Sequence, residues 1–533
     1  MPLYEQALLL LLLTTCFSIV ARWLPWPAPI TYVLGGVAFA FVPHFPGIRL
    51  SPTFFFPCFL PPLLFSDGWL MPLREFAKAR RAIFMMATGL VILTTVVVGL
   101  VAHAVVPGLP LAMGFALGAV VSPTDAVATS AILEKLAVPT RLNTILSGES
   151  LMNDATGLVA FRFALAAVAA GTFSLQKAAA TFVGIAAGGL ALGLAIAWVV
   201  GKIRDLLIRY RSADPLIEIT VSLMTPYAAF LAAEQLHLSG VLAVVAAGLY
   251  SGWRDPVRMD AETRQTTWTV WSTILFWLNG LAFVLLGLQF PRLLAAVSDD
   301  YGIPQLIKFV AFVSGAVILI RIAWIFPGAY APFWLSAHVR RTETRPSWRA
   351  VLVGGWAGMR GTVTLAAALS IPLVARAGVP FPGRDIVIFL SFGVIAVTLL
   401  LQGTTLEWLI RRLDLRGDGM LEKEEWLART TAVRAGLDTL RTISGGTLEQ
   451  HDREALGYII AEYEVRLSEL AAEGPEQSSA VRRRAADKRY RFAALEAERR
   501  AVDQLWQSDR IADEVHRELQ SLLDHEEGML RRS

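Results

Sequence analysis

What most constrains this chain is a series of apolar stretches, each about as long as a bilayer is thick, repeated from the N-terminus to about residue 412. A helix needs roughly 20 apolar residues to cross a hydrocarbon core of about 30 Å. No water reaches backbone N–H and C=O groups in that core, so only helices and closed barrels cross it. Barrel strands alternate apolar and polar residues over about 10 positions. Unbroken runs such as residues 183–201 do not alternate. The expected fold class is therefore an all-α polytopic membrane protein. The composition agrees, being 55% hydrophobic and 17% charged, where soluble domains carry about 25% charged residues.

Thirteen spans fit the hydropathy pattern, at about 5–22, 28–45, 51–70, 82–106, 111–134, 142–171, 178–203, 215–235, 239–252, 268–291, 304–335, 349–375 and 384–411. The basic residues fall in alternate loops. One set holds Arg74, Lys78, Arg80 and Arg81, then Lys135 and Arg141, Lys202 to Arg211, Arg254 to Arg264, and Arg340 to Arg349. The opposite set holds little beyond Arg49, Lys177, Arg292, Arg376 and Arg384. The positive-inside rule places the first set in the cytoplasm, with the N-terminus outside and the C-terminus inside. The apolar stretch from Leu8 to Val20 resembles a signal peptide, but no positive charge precedes it, and it reads as a first span that stays. With span seven as a linker, two six-span repeats of inverted topology follow.

A net charge of +4 spread over short loops serves topology and gives no nucleic-acid surface. Cys16 and Cys58 lie in apolar runs and form no disulfide or metal framework. No nucleotide-binding glycine loop or nucleophile elbow is found, which argues against an ATP-driven pump or an enzyme and against any bound cofactor. From residue 413 the composition turns polar. Segments 421–444, 450–473 and 479–529 read as amphipathic helices of a cytoplasmic domain at 413–533, with breakers at Gly445-Gly446 and Gly474-Pro475. That domain either packs as a dimer contact or binds a regulatory ligand or protein. Its Arg482-Arg483-Arg484 run reads as a solvated helix face.

Against this apolar background the buried polar groups stand out. Span five contains Ser122-Pro123-Thr124-Asp125. Pro123 lacks an N–H and disfavours helix in the residue before it, so the span breaks there, and Asp125 or Thr124 caps a second half-helix. Unwound backbone at membrane depth must line a cavity or be buried in protein. Freed carbonyls beside a carboxylate suit a hard cation; a capped kink with a structural Asp125 is the alternative. Span six carries Glu149, Ser150, Asn153 and Asp154. Residues four apart share a helix face, so Ser150 pairs with Asp154 and Glu149 with Asn153 on adjacent stripes. The first stripe offers oxygen ligands for Na⁺. The second needs a partner for its charge, and Arg321, alone in the run 317–324, is the candidate. Span twelve is glycine-rich around Arg360, at 354–361, and is a second candidate break. There Arg360 offsets either a helix-end charge or neighbouring acids. Paired interrupted helices in inverted repeats point to a midplane transport site. Asp67, Glu218, Glu234, Asn279 and Gln289 read as helix contacts or topology signals.

Taken together, Ser-Pro-Thr-Asp-Ala-Val-Ala at 122–128, Gly-Glu-Ser-Leu-Met-Asn-Asp-Ala-Thr-Gly at 148–157 and Gly-Met-Arg-Gly-Thr-Val at 358–363 resemble the monovalent cation/proton antiporters, in the bacterial NhaP-type sodium/proton exchanger branch. The likeness runs over residues 5–412. It implies a homodimer in the cell membrane, with a transmembrane exchanger domain at 1–412. Within that domain it implies a mobile core of roughly 82–171 and 304–411, and a dimer domain of roughly 1–72 and 178–292. It also implies that the broken helices cross. It places the transported Na⁺ and H⁺ at Asp154, Asp125, the Ser150 hydroxyl and the Thr124 carbonyl, with Glu149, Asn153, Arg321 and Arg360 in support. Asn153 stands where the electrogenic branch has a second acid, which implies electroneutral one-for-one exchange. The expected activity is alternating-access Na⁺/H⁺ antiport at Asp154. K⁺ or Li⁺ in place of Na⁺, or a cation channel or sensor with a regulatory tail, are the alternatives.

Overall fold

The computed structural model describes residues 3–43, 52–136, 138–170, 175–210, 214–342, 345–374, 380–415, 417, 419–446, 449–472, 478–508 and 510–532. The topology signals Arg49, Arg211 and Arg376 lie outside the described residues, as do the side chains of Lys177 and Arg482 to Arg484. Two compact units result, Met1–Asp418 and Gly419–Ser533.

The first unit is helical. In chain order its elements are α1 (Leu3–Ala21), α2 (Ala28–Ala40), α3 (Pro52–Trp69), α4 (Leu73–Phe84), α5 (Val91–Val105), α6 (Leu111–Val120), α7 (Ala126–Leu133), α8 (Thr140–Ala170) and α9 (Leu175–Arg209). There follow α10 (Pro215–Gln235), α11 (Gly240–Arg258), α12 (Ala261–Leu288), α13 (Phe290–Ser298), α14 (Ile303–Leu335), α15 (Ala337–Thr342), α16 (Trp348–Trp356), α17 (Thr362–Leu369) and α18 (Arg384–Arg412). Among the described residues, eight helical stretches are long and apolar enough to cross a membrane. The polytopic all-α class follows directly. Shorter apolar pieces such as α2 and α6 lie between them.

Some boundaries differ from the hydropathy reading. Arg74, Lys78, Arg80 and Arg81 are not in a loop; they lie on α4, which runs on through one π-helical turn (Met85–Leu90) into α5. An amphipathic helix hides from a hydropathy window because its polar face cancels its apolar one. The π-turn frees backbone carbonyls, and two neighbours satisfy them. Thr156 Oγ1 donates to the Ala87 carbonyl, and Trp324 Nε1 donates to that of Met85 at 3.3 Å. Wide turns of this kind recur at functional sites, and this one anchors α5 to α8. Span ten likewise starts earlier, at Ala261, and is followed by the separate helix α13.

The packing that matters for the site is that of α5 and α14 around α6 and α8. Gly99 and Gly114 allow α5 and α6 to touch backbone to backbone, since a Cβ on Gly114 would strike the Gly99 carbonyl. Small residues of this kind set close helix approach in membranes. The core there is fully buried and includes Met113, Leu117, Val313, Val387 and Leu390. On the other side α3, α9, α10 and α11 pack around Phe65, Val244 and Trp271, with Phe65 stacked on Trp271 at 5.4 Å.

In the second unit, α19 (Met420–Ser444) and α20 (Gln450–Ala472) form one hairpin. Trp426 Nε1 donates to the Leu470 carbonyl at 2.8 Å, and Arg441 pairs with Glu464 at 2.7 Å. The single long helix expected at 479–529 is instead two, α21 (Ser478–Gln507) and α22 (Asp513–Arg532). The turn between them is fixed by Trp506 Nε1 donating to Asp513 Oδ1 at 2.6 Å and by His516 bonded to Asp503 at 2.8 Å. That imidazole holds the Asp503 carboxyl below the usual carboxylate range.

Candidate functional site

Two helices are interrupted in mid-course, and the interruptions meet. α6 ends at Val120 and resumes as α7 at Ala126, while α16 ends at Trp356 and resumes as α17 at Thr362. Each break satisfies open backbone of the other. The Asp125 N–H donates to the Met359 carbonyl at 2.8 Å, and Arg360 Nε donates to the Val121 carbonyl at 2.9 Å. Val121 lies at the C-terminal end of α6, where unpaired carbonyls carry partial negative charge. Of the two roles open to Arg360, the helix end is the one its hydrogen bond takes. Its Nη1 donates to the Gly358 carbonyl, its backbone N–H to Thr398 Oγ1 at 3.2 Å, and the side chain is fully buried.

Asp125, not Thr124, caps α7. Its Oδ1 accepts from the N–H groups of Val127 at 2.8 Å and Ala128 at 3.3 Å. The adjacent face of α8 locks onto the break. Ser150 Oγ donates to the Thr124 carbonyl at 2.7 Å and accepts from the Ala126 N–H at 3.2 Å. A carbonyl has two lone pairs, so this bond leaves Thr124 an acceptor to spare. One stripe over, Asn153 Nδ2 donates to Thr124 Oγ1 at 2.9 Å, and that hydroxyl donates to Glu149 Oε1 at 3.4 Å.

Glu149 meets Arg321 fork to fork. Nη1 donates to Oε1 and Nη2 to Oε2 at 2.9 Å, with Nη2 also reaching the carbonyls of Gly354 at 3.0 Å and Ala357 at 3.3 Å. Exposure is 1% for Glu149 and 0% for Arg321. One guanidinium thus neutralises the α8 acid and holds the end of α16. Removing one partner of such a pair strands the other charge and costs about 3–5 kcal/mol. Arg321→Ala should therefore give a protein that melts far below wild type in detergent, while the neutral pair Glu149→Gln with Arg321→Met recovers most of the loss. A normally stable but inactive Arg321→Ala protein would move this residue from architecture into transport.

Thr124, Asp125, Ser150 and Asp154 line one cavity of about 190 Å³, roomy enough for several waters. Asp154 is 5% exposed and lies on the cavity wall. Two residues read from sequence as helix contacts also line it, Asp67 from α3 and Asn279 from α12. The clue to Asp67 was a carboxylate inside an apolar run; only tertiary packing brings it beside α8. The remaining polar groups are architectural. Arg204 joins Asp255 at 2.8 Å and Glu218 at 3.1 Å in a buried triad, and Arg162 pairs with Glu234 at 3.0 Å.

Residues 8–412 match the family model described as "Sodium/hydrogen exchanger, transmembrane". This chain belongs to the sodium/hydrogen exchanger family. It is a transporter, not an enzyme. Among its relatives, an exchanger of Bacillus pumilus, named a sodium, potassium, lithium and rubidium/H⁺ antiporter, is 36% identical across 99% of this chain and 78% of its own length. The Na⁺/H⁺ exchanger YjcE of Escherichia coli, which is uncharacterised, is 33% identical over 99% of both chains. The solved structure of the sodium proton antiporter MjNhaP1 from Methanocaldococcus jannaschii aligns with a TM-score of 0.58 at 19% identity, covering 76% of this chain and 97% of that one. At that identity the likeness concerns the fold.

Proposed function

We propose that this sodium/proton antiporter exchanges one cation for one proton through competition at Asp154. The observation that carries this reading is the shared cavity, in which Asp154 faces Asp125, Ser150 and the Thr124 backbone at the junction of two broken helices. A bare carboxylate in an apolar setting is costly, and either ligand removes that cost. A site that crosses the membrane only when occupied couples the two fluxes. The moving part is the segment pair 82–171 and 304–411, and its scaffold is 1–72 with 178–292. Within the first pair, α5 and α6 touch backbone to backbone at Gly99 and Gly114, as parts that move together would. The exchanger works as a homodimer in the cell membrane with its N-terminus outside and its C-terminus in the cytoplasm. Under an inward proton gradient it expels Na⁺. Asn153, a neutral side chain bound to Thr124 where a further acid would stand next to Asp154, supports one-for-one stoichiometry. The name of the Bacillus pumilus relative favours a second reading, in which K⁺, Li⁺ and Rb⁺ share the site.

Purified protein in proteoliposomes tests both. Collapse of an imposed pH gradient is followed by fluorescence dequenching as each alkali cation is added. Na⁺ should collapse the gradient at a rate indifferent to an imposed membrane potential. A potential-dependent rate would rule out one-for-one exchange. Cation flux that ignores the proton gradient would make the protein a channel.

A further inference from the structure

The oxygens assigned so far to the cation belong to α8 and to the break before α7. The second broken helix also reaches the cavity, through Val363 and Thr364 in the first turn of α17. Five hydroxyls stand on the cavity wall, and four of them are committed as donors. Ser66 donates to the Leu63 carbonyl at 2.7 Å and Ser130 to the Val127 carbonyl at 3.3 Å. Ser150 donates to the Thr124 carbonyl at 2.7 Å, and Thr124 to Glu149 Oε1 at 3.4 Å. The fifth hydroxyl, on Thr364, has no hydrogen-bond partner among the described residues.

The reason is local. A helical threonine ordinarily donates to the carbonyl three or four residues back. Thr129, Thr156 and Thr398 each reach the fourth, at 3.0, 3.2 and 2.8 Å. Four residues back from Thr364 is Arg360, inside the break, and the extended Gly361 (φ −127°, ψ −160°) takes that carbonyl out of helical register. Thr364 is 1% exposed, and a buried hydroxyl left without a partner is costly. Thr94 and Ser314 carry unpartnered oxygens sealed inside the protein. The Thr364 oxygen is not sealed in this way, and the space it meets is the cavity that it lines. A hydroxyl has two acceptor lone pairs and a proton that rotates to suit. This one can turn its lone pairs on a cation without breaking any bond to the protein.

We infer that the Thr364 hydroxyl is a further oxygen of the cation shell, supplied by the second broken helix, and that it sets which alkali cations the site prefers. The inference rests on the antiport reading above. It adds a neutral ligand to the carboxylates of Asp154 and Asp125, the Ser150 hydroxyl and the Thr124 carbonyl. Selectivity at such a site follows the number and strength of the oxygens that replace the hydration shell. A larger ion holds more oxygens around it, so a shell short of one serves Li⁺ best and Na⁺ less well. Being uncharged, the hydroxyl leaves the charge balance of the exchange as it was.

Thr364→Val removes the oxygen and keeps the shape. In proteoliposomes it should raise the Na⁺ concentration for half-maximal exchange about tenfold, and that for Li⁺ much less, with the rate at saturating Na⁺ little changed. Thr364→Ser returns the hydroxyl and should restore both concentrations. Melting of the full-length exchanger in detergent gives a reading that needs no transport. Without added cation, Thr364→Val should melt no lower than wild type, since no hydrogen bond within the protein is lost. With Na⁺ at alkaline pH, it should need about tenfold more ion for the same rise in melting temperature. A lower melting temperature without cation, restored by serine, would make the hydroxyl structural and overturn the proposal. Unchanged Na⁺ affinity would leave it holding only water and overturn the proposal as well. Equal losses for Na⁺ and Li⁺ would overturn its part in selectivity. Absence of Na⁺/H⁺ exchange in wild type would instead remove the antiport reading, with the Na⁺-dependent melting still deciding whether Thr364 binds the ion.

Discussion

Asp154→Asn should bring cation-dependent proton flux to background while leaving a well-folded protein. The amide nearly matches the carboxylate in shape, so the cavity wall keeps its form. It carries no charge to attract a cation and takes up no proton in the working pH range. Both halves of the exchange therefore vanish together, where loss of a mere helix contact would spare one of them. The mutant should also melt no lower than wild type, because a charge that is 5% exposed is removed without stranding a partner ion. Ligand binding supplies a further readout. A ligand that binds only the folded state stabilises it by RT ln(1 + [L]/Kd), about 2.7 kcal/mol at a hundredfold excess over Kd. Added Na⁺ should thus raise the melting temperature of wild type at alkaline pH and raise it less at acidic pH, where protons hold the site. Asp154→Asn should show neither the Na⁺ effect nor its pH dependence. Residual exchange in this mutant, or an undiminished Na⁺ shift, would take Asp154 out of the centre of the mechanism.

Some parts of this site are legible in the sequence because their causes are local. Pro123 interrupts a helix wherever the chain goes, and the carboxylate two residues on caps the helix that restarts. The four-residue spacing of Ser150 and Asp154 puts both on one side of α8 before any packing is known. Glu149 and Arg321 find one another for a reason nearly as simple, since an isolated charge in an apolar segment must be neutralised and few opposite charges are available. The parts that stay hidden depend on tertiary packing. Asp67 reads as a polar group near a span end until α3 is docked beside α8 and α12. Arg360 has two equally plausible duties in sequence, and the position of the α6 end decides between them. The extension of α4 and the turn between α21 and α22 escape for another reason. Hydropathy averages over an amphipathic face, and it registers no hydrogen bond such as that from Trp506 to Asp513.

Gly361→Ala should be nearly as damaging as loss of a carboxylate. The residue precedes α17 with φ −127° and ψ −160°, an extended conformation open to any amino acid, so the backbone sets no demand for glycine here. Space does. A Cβ at this position would fall on the Asp125 carboxylate, at Oδ2 and the carbon that bears it. Asp125 cannot yield freely, since its other oxygen caps α7 and its own N–H is held by Met359. One methyl group therefore either breaks the cap, at about 1 kcal/mol, or forces the two breaks apart and pulls Arg360 from the Val121 carbonyl. Both routes displace the Asp125 carboxylate from its place on the cavity wall. The expected result is a protein that folds with modestly reduced thermal stability but exchanges at a small fraction of the wild-type rate, with the Na⁺-dependent melting shift much diminished. Ala357→Gly, at the start of the same break, adds backbone freedom without adding a Cβ, serves as a control for that freedom and should lose much less. If Gly361→Ala exchanges normally, the contact between the breaks at Asp125 is not needed for transport, and the cation shell must be drawn from α8 and the Thr124 backbone alone.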